Sequence, residues 1–365
     1  MRAMIVCGGT GGHIYPGIAL ARALKNREDS NQIIFVGRKD SLEERIFLKE
    51  GWEYKTICSS GMPRNFSFTW IPFIIKTLIG IFQSNFIVLG FKPDIIIGTG
   101  AYLSFPILFT GKLFGIPELI LEPNVYPGLT TRILAGFADR IAIAFEDTKN
   151  YLTKCKDKCL LTGNPVRSLI ALRKREEAEI AFNLYERKKT VLIFGGSQGA
   201  SCINQSCIDM KDYIEPLKDK VQFIFITGDD DFKKVSENYE KSNVKVIVAP
   251  FIYNMEDAFA LADMVVCRAG ATTLAEITTR GIPAVLIPYP YATDNHQMKN
   301  AQYLEQNGAA KIILDRELTG YKLAEAIKEL LLNDRKLNEM HEASKKIGRP
   351  DALENIIKIV NELAD

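Results

Sequence analysis

Short apolar runs alternate along this chain with longer stretches in which apolar residues recur every three or four positions. The short runs, such as residues 95–97 and 284–287, are continuously apolar, which is typical of parallel strands buried on both faces. The longer stretches predict amphipathic helices. A regular alternation of strand and helix indicates the α/β class, with doubly wound parallel sheets.

The alternation occurs twice. In the first half the pattern predicts strands over residues 1–6, 32–37, 54–57, 94–97, 119–122 and 140–145, and helices over 14–27, 41–50, 70–89, 103–114 and 127–137. In the second half it predicts strands over residues 191–194, 221–227, 244–249, 264–267, 283–287 and 310–314, and helices over 201–210, 232–240, 254–262, 272–280 and 296–307. Two such series predict two α/β domains of similar construction.

The boundary between the domains is expected at residues 163–167, where the turn residues Gly, Asn and Pro end a strand. This gives a first domain over residues 1–166 and a second over 167–350. The last helix, 351–365, carries Leu353, Ile356 and Val360 on one face. We expect that face to pack back on the first domain.

Each series opens with a strand that runs into a glycine-rich turn, at residues 8–13 and 195–200. A strand, a glycine turn and a helix together direct backbone N–H groups and the positive helix end at one spot, which suits a phosphate group. Two such turns predict two nucleotide-type domains that face a shared cleft. Only the first turn carries a histidine, His13, which makes it a candidate for chemistry.

Composition excludes several classes of function. The chain has 365 residues, 47% hydrophobic, and a formal net charge of +2, which gives no sign of a nucleic-acid partner. The basic excess lies in the first half and suits an anionic partner or a membrane surface. Seven scattered cysteines and only three histidines favour reduced cytosolic thiols over a disulfide framework or a zinc site. We expect the N-terminus to enter the first strand directly, with no signal peptide to remove.

Residues 66–91 contain a single charged residue, Lys76, and are long enough to raise the question of a membrane span. Pro72, Gly80 and the polar residues 83–85 interrupt the run. Ile71, Ile75 and Leu78 follow helical spacing. The sequence therefore favours a helix whose apolar face lies on a bilayer, and leaves open a wholly buried core helix or a true span.

A dinucleotide-binding dehydrogenase fits poorly. The first turn lacks the third glycine of G-x-G-x-x-G, and the second strand ends in Gly37, Arg38 and Lys39 rather than in an acidic ribose ligand. Arg38 is able to pair with the 2′-phosphate of NADP, so the sequence leaves an NADP-binding site open. Residues 268–276 fit better with a nucleotide sugar. Their small residues admit a phosphate, Thr272 and Thr273 are placed to cap a helix, and Glu276, one turn in, can accept two ribose hydroxyls.

With these residues in view, the chain resembles the MurG family of peptidoglycan glycosyltransferases over nearly its whole length. The resemblance rests on residues 8–13, 98–104, 122–124, 163–167, 195–200, 271–276 and 294–297. It implies a GT-B fold, in which two Rossmann-like domains face a central cleft. It also implies an inverting, metal-independent transfer of N-acetylglucosamine from UDP-N-acetylglucosamine to the 4-hydroxyl of the MurNAc of lipid I, which yields lipid II. No cofactor is implied.

The resemblance assigns the donor site by position. The residues it places against the donor are Thr10, Gly11, Gly12, Asn124, Arg167, Ser197, Ile252, Ala271, Thr272, Thr273, Leu274, Ala275, Glu276 and Gln297. Asn124 and Gln297 are implied to contact the sugar, Arg167 and Ser197 the phosphates, and the Ile252 backbone the uracil. Two departures from the family pattern, Pro123 and Ala101, fall in the acceptor half.

Two residues compete for the role of general base. A histidine with an unperturbed pKa of about 6.5 suits removal of a proton from the attacking hydroxyl, and His13 lies at the tip of the first turn. A sugar or phosphate contact and a structural role are the alternatives for His13, and Glu122 is the rival base. Asp229, Asp230 and Asp231 resemble a metal-binding acidic motif, although such a run also commonly opens a helix.

The expected partners are UDP-N-acetylglucosamine, a lipid-linked acceptor, an anionic membrane surface and other cell-wall synthesis proteins, with no nucleic acid. The resemblance implies a peripheral location on the cytoplasmic side of the inner membrane. Three alternatives remain open: another glycolipid glycosyltransferase, a UDP-sugar epimerase, and a nucleotide-sugar-binding pseudoenzyme that acts as a scaffold.

Overall fold

The computed structural model describes residues 1–9, 11–63, 68–184, 188–196 and 199–364. The chain divides into two compact units. The first unit holds residues 1–166 and the C-terminal segment from Pro350, and the second unit holds residues 167–349. Each unit contains one parallel β-sheet.

The first unit alternates strands and helices. Its strands are β1 (Arg2–Val6), β2 (Gln32–Gly37), β3 (Glu53–Thr56), β4 (Ile95–Gly98), β5 (Glu118–Glu122), β6 (Arg140–Ile143) and β7 (Cys159–Leu161). The helices between them are α1 (Gly11–Arg27), α2 (Leu42–Lys49), α3 (Trp70–Phe91), α4 (Ser104–Leu113) and α5 (Leu129–Leu134).

The second unit repeats this construction. Its strands are β8 (Lys189–Phe194), β9 (Val221–Ile226), β10 (Val246–Ala249), β11 (Met264–Cys267), β12 (Ala284–Leu286) and β13 (Ala310–Ile312). Its helices are α6 (Ser168–Leu172), α7 (Arg175–Phe182), α8 (Ser201–Asp209), α9 (Lys211–Ile214), α10 (Asp229–Tyr239), α11 (Met255–Leu261), α12 (Ala271–Arg280), α13 (His296–Gln306), α14 (Gly320–Leu331) and α15 (Asp334–Ile347). The last helix, α16 (Ala352–Ala364), returns to the first unit.

The order of the strands confirms the predicted doubly wound fold. The first sheet runs β3-β2-β1-β4-β5-β6-β7 and the second β10-β9-β8-β11-β12-β13, with parallel pairing. Strand order reverses beside β1 in the first sheet and beside β8 in the second. In such sheets ligands bind outside the carboxyl ends of the strands at the reversal. Both glycine-rich turns lie at these two points.

Helices cover both faces of the first sheet because its strands are apolar on both sides. Helix α16 packs against α1 on one face. Ile356, Ile357 and Val360 are fully buried there, in the same core as Ile5 and Phe35. Helices α3, α4 and α5 cover the opposite face.

Strand β7 and helices α9, α14 and α15 were absent from the sequence-based prediction. Strand β7 has only three residues. Helices α14 and α15 lie between the last predicted strand and the last predicted helix, and α14 buries Leu323, Ile327 and Leu330 in the core of the second unit. After the domain boundary the chain forms two short helices, α6 and α7, and Arg173 after the first has an extended backbone.

Helix α3 exposes most of its apolar side chains. Among the described residues it is the one helix long and apolar enough to cross a membrane by length and composition, and only 17% of its most apolar window is buried. Its exposed side chains are Ile71, Ile74, Ile75, Leu78, Ile79, Phe82, Phe86 and Leu89. The alternative of a wholly buried core helix is therefore wrong. Only Gly80, Ser84 and Val88 are buried.

Candidate active site

In the first glycine-rich turn, close packing excludes a side chain at Gly8, and the backbone conformation favours glycine at Gly9. A Cβ atom on Gly8 would lie 2.2 Å from Leu103 Cδ1 and 2.8 Å from Glu43 Oε1. Gly9 has φ +92°, in the left-handed region that favours glycine. Helix α1 begins two residues later, at Gly11, and Thr10 lies outside the described residues. Gly11, Gly12 and His13 therefore form the first turn of a helix at the carboxyl end of β1.

His13 is oriented by a backbone carbonyl. Its Nδ1 atom lies 2.5 Å from the carbonyl oxygen of Thr99, which follows β4. A carbonyl oxygen can only accept, so Nδ1 carries the proton and the ring lone pair is on Nε2. A hydrogen bond from Nδ1 of this kind fixes the tautomer and the ring orientation of a histidine that acts as a base through Nε2. The contact joins the first glycine turn to the loop that contains Ala101.

Glu122 organises its own loop. It ends β5 and is 2% exposed. Its Oε1 accepts a hydrogen bond from the backbone N–H of Asn124 at 3.0 Å, and its Oε2 accepts one from Gly128 at 3.0 Å. Burial raises the pKa of the Glu122 carboxyl, and these bonds oppose the rise. The Asn124 side chain also donates to Oε1, at 3.3 Å. The carboxylate therefore fixes the 122–128 loop, including Asn124 beside Pro123.

The second glycine-rich turn is described only in part, since Ser197 and Gln198 lie outside the described residues. A Cβ atom on Gly199 would lie 2.1 Å from the carbonyl oxygen of Thr227, and Gly199 has φ +78°. Gly195 is equally tight, since its Cβ would lie 2.4 Å from that of Ala200. Helix α8 begins directly afterwards, at Ser201. The turn therefore leads a helix N-terminus to the carboxyl end of β8.

Helix α12 contains most of the 268–276 segment that the sequence predicts to bind a nucleotide sugar. It begins at Ala271 with Gly270 as its N-cap residue. Thr272 and Thr273 therefore lie in the first turn and do not occupy the cap position, contrary to the sequence-based expectation. Leu274 is buried in the core, whereas Ala275 and Glu276 are half-buried on the helix surface.

Arg167 connects Glu276 to a second carboxylate. The Arg167 Nη2 atom lies 3.8 Å from Glu276 Oε1, and Nη1 lies 3.6 Å from Glu256 Oε2. Burial raises the pKa of Glu276 to about 7; the Arg167 charge opposes the rise and the Glu256 charge adds to it. Near neutral pH this carboxyl can therefore be either a donor or an acceptor of hydrogen bonds.

Three further residues of the second unit lie at the carboxyl edge of its sheet. The Gln297 Oε1 atom accepts a hydrogen bond from the backbone N–H of Tyr289 at 2.9 Å, which ties α13 to the loop after β12. Ile252 is half-buried in the loop after β10. Arg268 follows β11, where its Nη1 atom donates to Asp315 Oδ2 at 2.5 Å.

The acidic run opens a helix. Asp229, Asp230 and Asp231 form the first turn of α10, where carboxylates interact favourably with the helix dipole. The Asp231 Oδ2 atom accepts a hydrogen bond from the Asn204 amide at 2.9 Å. Across the ranges that the structure describes, no group of three or more His, Cys, Asp or Glu side chains could hold a metal ion.

Sequence reasoning missed Glu256, Arg268 and Glu43. Glu256 lies in the first turn of α11, where an acidic residue is commonplace, so nothing in the pattern separates it from a surface carboxylate. Arg268 opens the 268–276 segment, but the sequence pattern assigns its side chain no role. Glu43 is fully buried against Gly8 of the first glycine turn, which lies far from it in sequence, and only the tertiary structure shows this contact.

Comparisons with known proteins agree with this arrangement. The glycosyltransferase family 28 N-terminal domain matches residues 3–143, and the glycosyltransferase family 28 C-terminal domain matches residues 190–356. The two matches fall on the two sheets in order.

Full-length relatives carry a common name. A protein of Desulforamulus reducens named UDP-N-acetylglucosamine--N-acetylmuramyl-(pentapeptide) pyrophosphoryl-undecaprenol N-acetylglucosamine transferase is 42% identical, over 100% of this chain and 99% of the relative. A Bacillus subtilis protein of the same name is 38% identical, over 100% and 99% of the two chains.

Solved structures share the architecture. Acinetobacter baumannii MurG superposes with a TM-score of 0.80 at 25% identity, over 99% of each chain. A UDP-GlcNAc 2-epimerase from Neisseria meningitidis superposes with a TM-score of 0.70 at 15% identity, over 99% of this chain and 100% of that one. The second likeness concerns the fold alone, because the two sequences have diverged so far.

Proposed function

The chain belongs to the MurG family of glycosyltransferases, and we propose that it transfers N-acetylglucosamine from UDP-N-acetylglucosamine to the MurNAc 4-hydroxyl of lipid I, which yields lipid II for peptidoglycan synthesis. The observation that carries the proposal within the structure is the placement of Glu276 in the first turns of α12, 3.8 Å from the guanidinium of Arg167. Small residues precede it and admit a phosphate. This is the equipment for a nucleoside diphosphate sugar, and relatives at about 40% identity are named for that donor.

The second unit would bind the donor. Glu276 accepts the ribose hydroxyls, the N–H groups at the start of α12 receive the diphosphate, and Arg167 supplies a cation beside it. Ile252 would contact the uracil through its backbone and Gln297 the sugar hydroxyls. Negative charge grows on the departing UDP, and helix N-termini and Arg167 stabilise it without reorganising. Ser197 is assigned to the same phosphate region by family resemblance alone.

The first unit would activate the acceptor. The acceptor hydroxyl attacks the anomeric carbon, the bond to UDP breaks, and the hydroxyl proton passes to His13 Nε2. The Thr99 carbonyl supports this role because it holds the proton on Nδ1. Glu122 is the weaker base candidate, since both of its oxygens already accept hydrogen bonds from its own loop. Thr10, Gly11 and Gly12 would contact the donor, and Asn124 the sugar.

The reaction would need no divalent ion, because helix ends and a cation can carry the leaving-group charge. Turnover should therefore persist in EDTA. A chemical step that a chelator blocks and Mg²⁺ restores would contradict this and would point to Asp229–Asp231.

We assign membrane contact to the exposed face of α3. Six of its large apolar side chains are at least half exposed, and the acceptor is lipid-linked. Shallow insertion of such a face, with attraction between basic residues of the first unit and anionic lipid, would hold the enzyme at the cytoplasmic side of the inner membrane. Other cell-wall synthesis proteins are further candidate partners of this unit.

Product analysis tests the activity directly. The protein is incubated with UDP-N-acetylglucosamine and a short-chain lipid I analogue, and the products are identified by mass spectrometry and by the anomeric configuration of the new linkage. A β-linked disaccharide is expected. UDP-N-acetylmannosamine formed without acceptor would show an epimerase, and donor binding without any product would show a pseudoenzyme.

A further inference from the structure

Arg167 lies between two carboxylates in the second unit, one of which the sequence did not mark. It caps the start of α6, Glu256 lies in the first turn of α11, and Glu276 lies in α12. The guanidinium nitrogens lie 3.6 Å from Glu256 and 3.8 Å from Glu276, each through a different Nη atom. One cation is thus shared, and neither carboxylate holds it at hydrogen-bond distance.

Glu256 depends on this cation. It is 9% exposed, and its Oε2 atom is buried with no hydrogen-bond donor among the described residues. A buried carboxylate is costly unless it is paired. The Arg167 Nη1 atom faces this Oε2 atom while Nη2 faces Glu276, so Glu256 anchors the guanidinium through a different nitrogen from Glu276.

We propose that Glu256 is a positioning residue of the donor site, which keeps Arg167 beside the diphosphate when Glu276 turns to the ribose of the donor. This rests on the proposed function, since it takes Glu276 as the ribose ligand. Without Glu256, Arg167 would pair fully with Glu276, and the donor would have to break that pair to bind. Glu256 thus acts through Arg167 and contacts no reacting atom.

The arrangement has a consequence for pH. The groups that face Glu276 are Arg167 from the start of α6, Glu256 from α11 and Cys267 from β11, and burial raises the pKa of the Cys267 thiol so that it stays neutral. Ribose hydroxyls need the ionised form of Glu276, so donor affinity should rise as pH rises through about 7. Removing the Glu256 charge lowers the pKa of Glu276 and moves this rise to lower pH.

Calorimetric titration with UDP from pH 6 to pH 9 tests the inference on the full chain. In Glu256→Gln the midpoint of the affinity rise should fall by roughly half a pH unit or more. The plateau affinity at pH 9 should fall about fivefold, because Arg167 then stays on Glu276. A purely structural role would lower thermal stability or the plateau but would leave the midpoint in place, and that result would overturn the inference.

Asp257→Asn is the matched control. Asp257 is the next residue of α11, is 4% exposed and pairs with Arg173 instead of Arg167. Its loss should leave the midpoint unchanged. An equal shift in both variants would mean that any buried charge of α11 produces it, and would contradict a specific role for Glu256.

A double-variant cycle tests the link to Arg167. Arg167→Lys keeps the charge but loses the planar fork that faces both carboxylates. Its effect on plateau affinity and that of Glu256→Gln should be strongly non-additive, whereas additive losses would show that Glu256 does not act through Arg167. If Glu256→Gln does not fold, Glu256→Asp replaces it, since a side chain shorter by one methylene must also weaken the plateau. Wild-type protein that binds no UDP at any pH would refute the proposed function instead.

Discussion

The Nδ1 atom of His13 lies 2.5 Å from the carbonyl oxygen of Thr99, although the two residues belong to different loops of the first sheet. Helix α1 supplies the histidine and the end of β4 supplies the carbonyl. The carbonyl fixes the ring orientation and leaves the basic lone pair on Nε2.

His13→Ala should lower turnover about 100-fold or more and leave UDP affinity nearly unchanged, as loss of a general base does. Steady-state rates with a water-soluble acceptor and calorimetry with UDP measure the two quantities. Glu122→Gln is the companion variant. It should lower thermal stability, because the 122–128 loop loses charge-assisted bonds. Near-normal turnover in His13→Ala, with turnover abolished in a folded Glu122→Gln, would make Glu122 the base.

Glu276→Ala should weaken UDP binding by about 1.5–3 kcal/mol, the usual scale of hydrogen bonds to a charged group. Calorimetry at pH 8, above the pKa of about 7, places the wild-type carboxyl in its ionised form. Glu237→Ala, an exposed carboxylate on α10, is the control and should have no effect. Equal affinity in wild type and Glu276→Ala would remove Glu276 from the ribose site.

Replacing Ile75, Leu78 and Phe82 with Ser or Gln should release the protein from anionic vesicles in a flotation assay. These side chains are 52–65% exposed, so the variants should keep their melting temperature and their activity on a water-soluble acceptor. Each apolar side chain contributes up to roughly 1.5–3 kcal/mol when fully buried in lipid, and less on shallow insertion.

Leu172 and Ile180 provide the matched control for membrane release. They are 70% and 68% exposed on the second unit. Their replacement by Ser should leave flotation unchanged. If they release the protein as well, membrane binding is general surface hydrophobicity and does not belong to α3.

Two glycines of α3 should respond oppositely to alanine. A Cβ atom on Gly80 would lie 2.3 Å from the carbonyl oxygen of Cys58, so Gly80→Ala should destabilise the first unit. Gly90 has nothing within 4 Å, so Gly90→Ala should stabilise it by about 0.5–1 kcal/mol through helix propensity. Chemical denaturation measures both. A destabilised Gly90→Ala would contradict the open space around Gly90.

Glu118 should make stability depend on pH. Burial raises its pKa to about 8 from an ordinary 4.5, so the folded state binds the proton more tightly than the unfolded state. The contribution of the protonated Glu118 carboxyl to folding stability is therefore fully present below pH 4.5 and is lost as pH rises through about 8. Glu118→Gln should gain stability over wild type progressively across this window, as denaturation at pH 5 and pH 9 would show. A constant difference would contradict the raised pKa; exposed Glu28→Gln is the control.

The sequence by itself determined the fold class, the two repeated sheets and most of the glycine turns. Apolar runs and helical spacing are local signals, so β1, β8 and their helices follow from short windows. The glycine turns are also local signals, because a backbone with φ > 0, or one that another atom approaches closely, accepts glycine more readily than any other residue. The sequence patterns failed where the signal was too short or too local. They missed the three-residue strand β7, and they placed the cap of α12 at Thr272 and Thr273 instead of at Gly270.

Only the tertiary structure decided which side chains meet. The Glu256–Arg167–Glu276 cluster draws on three helices, the Thr99 carbonyl that orients His13 lies 86 residues away in sequence, and no periodicity encodes either contact. The sequence favoured an exposed apolar face for α3, but only the tertiary structure ruled out the wholly buried core helix that the sequence had left open. A uniformly apolar helix reads the same whether protein or lipid covers it, and packing against Cys58 and α4 buries just one narrow side. Burial and charge pairing are properties of the folded chain, because they depend on neighbours that sequence distance does not fix.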